Sequence, residues 1–94
     1  MIAIGGSKKE EDMEAIVEQM ESVIEDSSVP RNIRGVVSRA RDKIQNTQEM
    51  LDIRVTSSIY ILEDISNDVN MPSHTRTEIW QIISDLESVR EKAK

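Results

Sequence analysis

The sequence predicts an all-α fold, a four-helix antiparallel up-and-down bundle, and three observations predict it. Four stretches carry apolar residues at helical spacing, separated by three short breaks rich in Asn, Ser or Pro. The 94 residues suit one domain with one core. Only 37% of the residues are hydrophobic and none is Phe, so the core must be assembled from aliphatic stripes, which amphipathic helices bury efficiently. Residues 1–8 are expected to form a flexible leader and residues 9–92 a single four-helix domain.

The leader contains Gly5-Gly6-Ser7, whose two glycines maximise backbone freedom, and its apolar residues show no period. Helix one is expected from Lys9 to about Asp26, with Met13, Ile16, Val17, Met20, Val23 and Ile24 on one face. Its other face is acidic, so that the segment up to Ser28 holds eight acids against Lys8 and Lys9. Pro30 ends that helix and opens the next, because it lacks an amide proton and disfavours helical angles at Val29. Ser27 or Ser28 is the expected cap. Helix two is expected from about Pro30 to Asn46, with Ile33, Val37, Ala40 and Ile44 inward and five basic residues against Asp42. An acidic helix followed by a basic one suits antiparallel neighbours that pair along their flanks.

Asn46 is read as a left-handed C-terminal residue and Thr47 as the cap of helix three, expected from about Gln48 to Asn67. The stripe of helix three is Leu51, Val55, Ile59, Leu62 and Ile65, yet Ile53, Tyr60 and Ile61 lie off it. A helix apolar on more than one side is expected to be either the most buried in the fold or in contact with a second chain. Pro72 repeats the earlier break, and helix four follows to about Glu91 with Ile79, Ile82, Ile83, Leu86 and Val89 inward and Trp80 beside them.

Shifting the chain by 42 residues aligns Pro30 with Pro72, Asp26 with Asp68, Arg34 with Arg76, Val37 with Ile79 and Ile44 with Leu86. The element Asp-x-x-x-Pro-x-x-x-Arg resembles the turn and inner helix of a HEAT repeat, so two HEAT-like helical hairpins are the alternative architecture. Solenoids need about three units to bury a continuous face, whereas four amphipathic helices with short loops close on themselves, which favours the bundle.

The stretches Val29-Pro30-Arg31-Asn32-Ile33-Arg34, Ile61 to Asp68 and Asn70-Met71-Pro72 resemble a family of small, functionally uncharacterised archaeal proteins of about 90 residues, over residues 13–90. The resemblance implies a four-helix bundle similar in type to bromodomain-like bundles and an intracellular protein. It implies no activity and carries over no catalytic or binding residue.

Composition narrows the chemistry. No Cys is present, which excludes disulfides, thiol nucleophiles and thiolate zinc sites. No apolar run is long enough for a membrane span or a signal sequence, so a cytoplasmic protein is expected. His74 with Glu78 one turn later supplies two metal ligands where a site needs three or four, and a second His is lacking; no metal, cofactor or small-molecule substrate is predicted. The same shortage argues against Ser57, Ser58, Ser27 or Ser28 as nucleophiles, and Glu63-Asp64 point about 100° apart on a helix rather than converging. No catalytic residue is predicted.

Two surfaces remain. Ile53, Tyr60, Ile61, Met71 and Trp80 are interface candidates, since such residue types are enriched at interface cores. Arg31, Arg34 and Arg41 share one side of helix two and are candidate anion contacts, though a net charge of −6 and a single Tyr and Trp argue against nucleic acid. The expected function is a non-enzymatic protein-protein interaction module, with a protein partner or a second copy as occupant. The alternative is an RNA-associated accessory factor working through those three arginines.

Overall fold

Helices form where the apolar period runs: α1 (Lys8–Ile24), α2 (Arg31–Gln45), α3 (Leu51–Ile65) and α4 (Ser73–Lys92). The structure, a computed structural model, describes residues 8–92, and residues 1–7 of the expected leader lie outside the described residues. No strand occurs among the described residues, and no helix is long and apolar enough to cross a membrane.

All three connections are built on one device. An Asx residue follows each helix, and its Oδ1 accepts a hydrogen bond from the backbone N–H two residues on: Asp26 from Ser28 at 2.9 Å, Asn46 from Gln48 at 3.1 Å and Asp68 from Asn70 at 2.8 Å. The amide one residue further returns to the Asx carbonyl, from Val29, Glu49 and Met71 respectively. Each new helix then begins five residues after its Asx residue, at Arg31, Leu51 and Ser73. The side chain thus holds a turn that backbone entropy would otherwise open.

This geometry revises the expected caps and ends. No side chain caps α2 or α3; Pro30 and Met50 occupy those positions in extended conformation, and Ser28 donates to Asp26. Asn46 is not left-handed but has φ −79° and ψ 91°. Helix α1 stops at Ile24 rather than Asp26, and α3 spans Leu51–Ile65 rather than 48–67, because the flanking Asx and Ser side chains compete with the helical backbone for hydrogen bonds.

The helices close into a ring in chain order. Helix α1 packs against α2 and α4, and α3 against α2 and α4, with no close approach across either diagonal. Two stacked HEAT hairpins would instead set α1 on α3 and α2 on α4, so the hairpins form a closed up-and-down bundle and not a piece of solenoid. A cross-section of 22 × 21 Å is two helices wide each way. Side-chain contacts between Asp12 and Lys92, Gln19 and Asp85, and Asp26 and His74 step along α1 and α4 in opposite directions, which makes this seam antiparallel.

The core follows the 42-residue shift. Met13, Ile16, Met20, Val29, Ile33, Val37, Ala40 and Ile44 are buried, and so are their counterparts Val55, Ser58, Leu62, Met71, Thr75, Ile79, Ile82 and Leu86. Each hairpin supplies half of one interior. Helix α3 is therefore not the most buried element: α4 buries six residues and α3 four, because in a closed ring every helix turns one side outward.

Candidate functional site

The outer side of α3 is the first candidate. Ile53 and Tyr60 are two turns apart, share one face, and are 44% and 69% exposed, on the side opposite the buried stripe of Val55, Ile59 and Leu62. Trp80, 51% exposed, stands on α4 one turn beyond Arg76, whose guanidinium reaches Ser66 at the C-terminal cap of α3, and so lies toward that neighbour. Ile61 is half-buried and packs on the core. Met71 belongs to the core itself, at 5% exposure: the turn locked by Asp68 directs it inward just as its counterpart Val29 is directed, so it is withdrawn from the interface set. Acidic residues Glu49, Asp52, Glu63 and Asp64 are all exposed around the Ile53–Tyr60 face.

The arginines of α2 do not form one free row. Arg41 lies 3.6 Å from Glu21 on α1 and 3.4 Å from Asp42, and also donates to Ser38. Arg34 is half-buried with its Nε enclosed and unbonded. Of the three candidate anion contacts, Arg31 alone is exposed. The structural logic of Arg34 becomes visible from its equivalents: Arg54 and Arg76 also stand eight residues after an Asx residue, and each returns to the end of the preceding helix. Arg54 donates from Nε to the Ile44 carbonyl at 2.8 Å, with its Nη2 on the same oxygen. Arg76 donates to the carbonyls of Ser66 at 3.1 Å and Asp68 at 2.6 Å. At Ile44 and Ser66 the guanidinium groups thereby reach carbonyls at a helix end and sit at its negative pole, while the Asp68 carbonyl, which also accepts from the Met71 N–H, belongs to the turn that follows.

At the end of the bundle where α1 leaves and α4 enters, the fold gathers three groups that sequence spacing leaves apart. His74 Nε2 is 3.3 Å from Asp26 Oδ2, and ligand atoms of Asp26, His74 and Glu78 all lie within 4.8 Å of one another. Helical spacing puts His74 and Glu78 on one face of α4. Asp26 arrives from the first turn because its Oδ1 is held by the Ser28 N–H and hydroxyl, which leaves Oδ2 facing α4. The Ser28 hydroxyl and then its amide keep the Asp26 carboxyl below its usual range, with His74 adding to the effect. The symmetry counterpart is a plain hydrogen bond, Asn32 Nδ2 to Asp68 Oδ2 at 3.4 Å. The two turns thus clasp each other across the bundle. Sequence reading found the pair on α4 and missed Asp26; the signal it lacked was that the repeat closes into a ring, which sets the first turn beside the start of α4.

As acid-base chemistry this cluster is incomplete. Thr75 Oγ1 and Asp26 Oδ2 approach the same ring nitrogen of His74, whereas a nucleophile-base-orienter relay runs through two different nitrogens. Fold and site together define a small all-helical protein made of two like hairpins, with a partly apolar exterior and no assembled hydrolytic triad among the described residues. The chain belongs to the uncharacterised protein family UPF0147, whose pattern matches residues 3–89. It is 47% identical to a UPF0147 protein of the archaeon Methanosarcina mazei over 89 residues, covering 95% of this chain and 96% of the relative. A relative in Methanocaldococcus jannaschii is 42% identical over 81 residues, 86% of this chain and 87% of its own. A crystal structure of a UPF0147 protein from Thermoplasma acidophilum superposes with a TM-score of 0.82 at 28% identity, over 88% of this chain and 99% of that one. Another, of a protein of unknown function, gives 0.82 at 41% identity over 92% and 97%. The family carries no assigned function, and none of these names is that of an enzyme.

Proposed function

We propose that the protein is a non-enzymatic interaction module whose docking face is the outer side of α3, centred on Ile53 and Tyr60 and flanked by Trp80. The observation that carries this reading is the exposure of two large apolar side chains on the same side of a helix that already buries a full stripe on the other. Tyr and Trp contribute large rigid contact area at low entropic cost, and Ile53 has no role in the core.

The charges around the face favour a particular occupant. Glu49, Asp52, Glu63 and Asp64 border it, so a second copy of the chain laid on the same face would oppose acid to acid. An amphipathic helix of a different protein, apolar along one stripe and flanked by Lys or Arg, complements both features. The RNA reading has less support, since Arg41 is paired with Glu21 and Arg34 is turned toward the bundle.

Affinity capture from a native-source lysate, run with and without ribonuclease, tests the proposal when wild type is compared with an Ile53→Ser/Tyr60→Ser double variant. A protein retained by wild type, released by the variant and indifferent to ribonuclease is expected, its bound segment being a basic-flanked helix. The same proteins held by both forms, or loss of everything after ribonuclease, would overturn the docking face. Sedimentation of the purified chain completes the test: a dimer abolished by the double variant would make the occupant a second copy.

A further inference from the structure

We propose that Asp26, His74 and Glu78 form a binding site for one divalent transition cation of borderline softness, such as Zn²⁺, with a coordination position left open to solvent. Three observations converge on it.

The first is geometric. Zinc holds nitrogen and oxygen ligands at about 2.0–2.2 Å, and a tetrahedron with such bonds has edges of about 3.4 Å. His74 Nε2 and Asp26 Oδ2 are already 3.3 Å apart, and the Glu78 carboxylate completes a set contained within 4.8 Å. Small side-chain adjustments bring all three onto one ion. One imidazole and two carboxylates suit zinc and its first-row neighbours, whereas magnesium and calcium prefer oxygen throughout.

The second comes from the internal repeat. The counterparts of Asp26, His74 and Glu78 are Asp68, Asn32 and Val36, and there an Asn–Asp hydrogen bond suffices to clasp the turns. The clasp needs no imidazole and no carboxylate at the third position. Relative to the first hairpin, the second has His for Asn and Glu for Val, and both differences supply ligand atoms to the same point. Glu78 is half-buried and makes no hydrogen bond or ion pair among the described residues, so the clasp does not explain it.

The third is the setting. His74 lies in the first turn of α4, where the helix dipole by itself disfavours a cation, but Asp26 stands two residues past the C-terminal end of α1, whose opposite pole lies alongside. The two poles offset each other, and two carboxylates are added. Asp26 is oriented by Ser28, as metal-binding carboxylates commonly are by an outer partner. Glu78 also lines a groove of about 350 Å³ between α1 and α4, with Gln19, Ser22, Thr77 and Gln81, through which an ion and its water reach the site.

The test is titration of the full chain with ZnCl₂, followed by calorimetry and by the imidazole nitrogen resonances of His74, the sole histidine. One Zn²⁺ per chain is expected, with the Nε2 resonance moving in step with the heat. His74→Asn and Glu78→Val install the residues that the first hairpin carries, so the clasp survives, and each is expected to weaken binding at least tenfold, no less than the loss of an outer-shell partner of a metal ligand. Wild type is expected to melt at a higher temperature with Zn²⁺ than with chelator, and His74→Asn at the same temperature in both. The proposal fails if no saturable binding is found, if the His74 resonances stay fixed while heat is released, if either variant binds like wild type, or if Mg²⁺ binds as tightly as Zn²⁺.

Discussion

Arg54 and Arg76 spend their charge on carbonyls at the ends of α2 and α3 and in the turn after α3, while Arg34, at the same distance from its Asx residue, keeps an enclosed Nε without a partner. Hydrogen bonds from charged donors to backbone carbonyls are worth about 1.5–3 kcal/mol, so Arg76→Met is expected to cost about 2–3 kcal/mol. Arg34→Met should cost less than about 1 kcal/mol, because its methylene stem is retained and an unmatched donor is removed. Urea denaturation of the two variants measures the difference, and equal losses would mean that the three arginines are not graded by their bonds. Ser58 makes the complementary case inside the core: it is fully buried, its Oγ is unbonded, and its counterpart is Ile16. Ser58→Ala is expected to raise stability by about 1 kcal/mol, since it deletes a desolvated hydroxyl at little loss of packing. At Leu62, also fully buried, truncation to Ala removes a side chain that the opposing helices surround, and a loss of about 2–5 kcal/mol is expected in the same measurement.

Helix α2 shows how far an element is set by its surroundings rather than by its own preference. Gly35 lies in its interior and is exposed, and a Cβ placed there meets nothing within 4 Å. Gly35→Ala should therefore stabilise the protein by about 0.5–1 kcal/mol, read from the shift in melting midpoint, through reduced freedom of the unfolded chain. The four stripes were legible because a helix facing one core repeats its apolar residues with a period near 3.6, and Ile33, Val37, Ala40 and Ile44 are all buried as that period requires. The ends were less legible. Ser28 and Thr47 fit the usual profile of a cap, but Asp26 and Asn46 outcompete them by accepting the backbone N–H two residues after themselves and so closing the turns first. The second of these turns was hidden further because Met50 stands where the other two carry Pro, so only the carbonyl-seeking Arg54 betrays the kinship. The site was half legible for a different reason: His74 and Glu78 are one helical turn apart in the sequence, whereas Asp26 joins them through tertiary closure alone.

At the scale of the whole molecule the ring of contacts decides how the protein must fold. Each hairpin presents one continuous apolar side, and that side is covered by the other hairpin along the α1–α4 and α2–α3 seams. A solenoid of the same elements would let the first hairpin persist alone and the second add to it, as nearest-neighbour repeats do. A closed bundle allows no such half-way state, because an isolated hairpin exposes the stripe from Met13 to Ile44 and gains too little burial to offset the ordering of about forty residues. Fragments 1–49 and 50–94 are thus expected to show little helical circular dichroism separately and to recover most of the native signal when mixed in equal amounts. Substantial helix in either fragment alone, with no gain on mixing, would return the molecule to the solenoid description. The reciprocal clasp of Asp26 with His74 and Asp68 with Asn32 adds a sharper version of the same test. Since every clasp joins a turn of one hairpin to the first helical turn of the other's second helix, Asp68→Ala in fragment 50–94 should weaken the reassembly with fragment 1–49, reaching across the seam from a residue that has its own turn to hold.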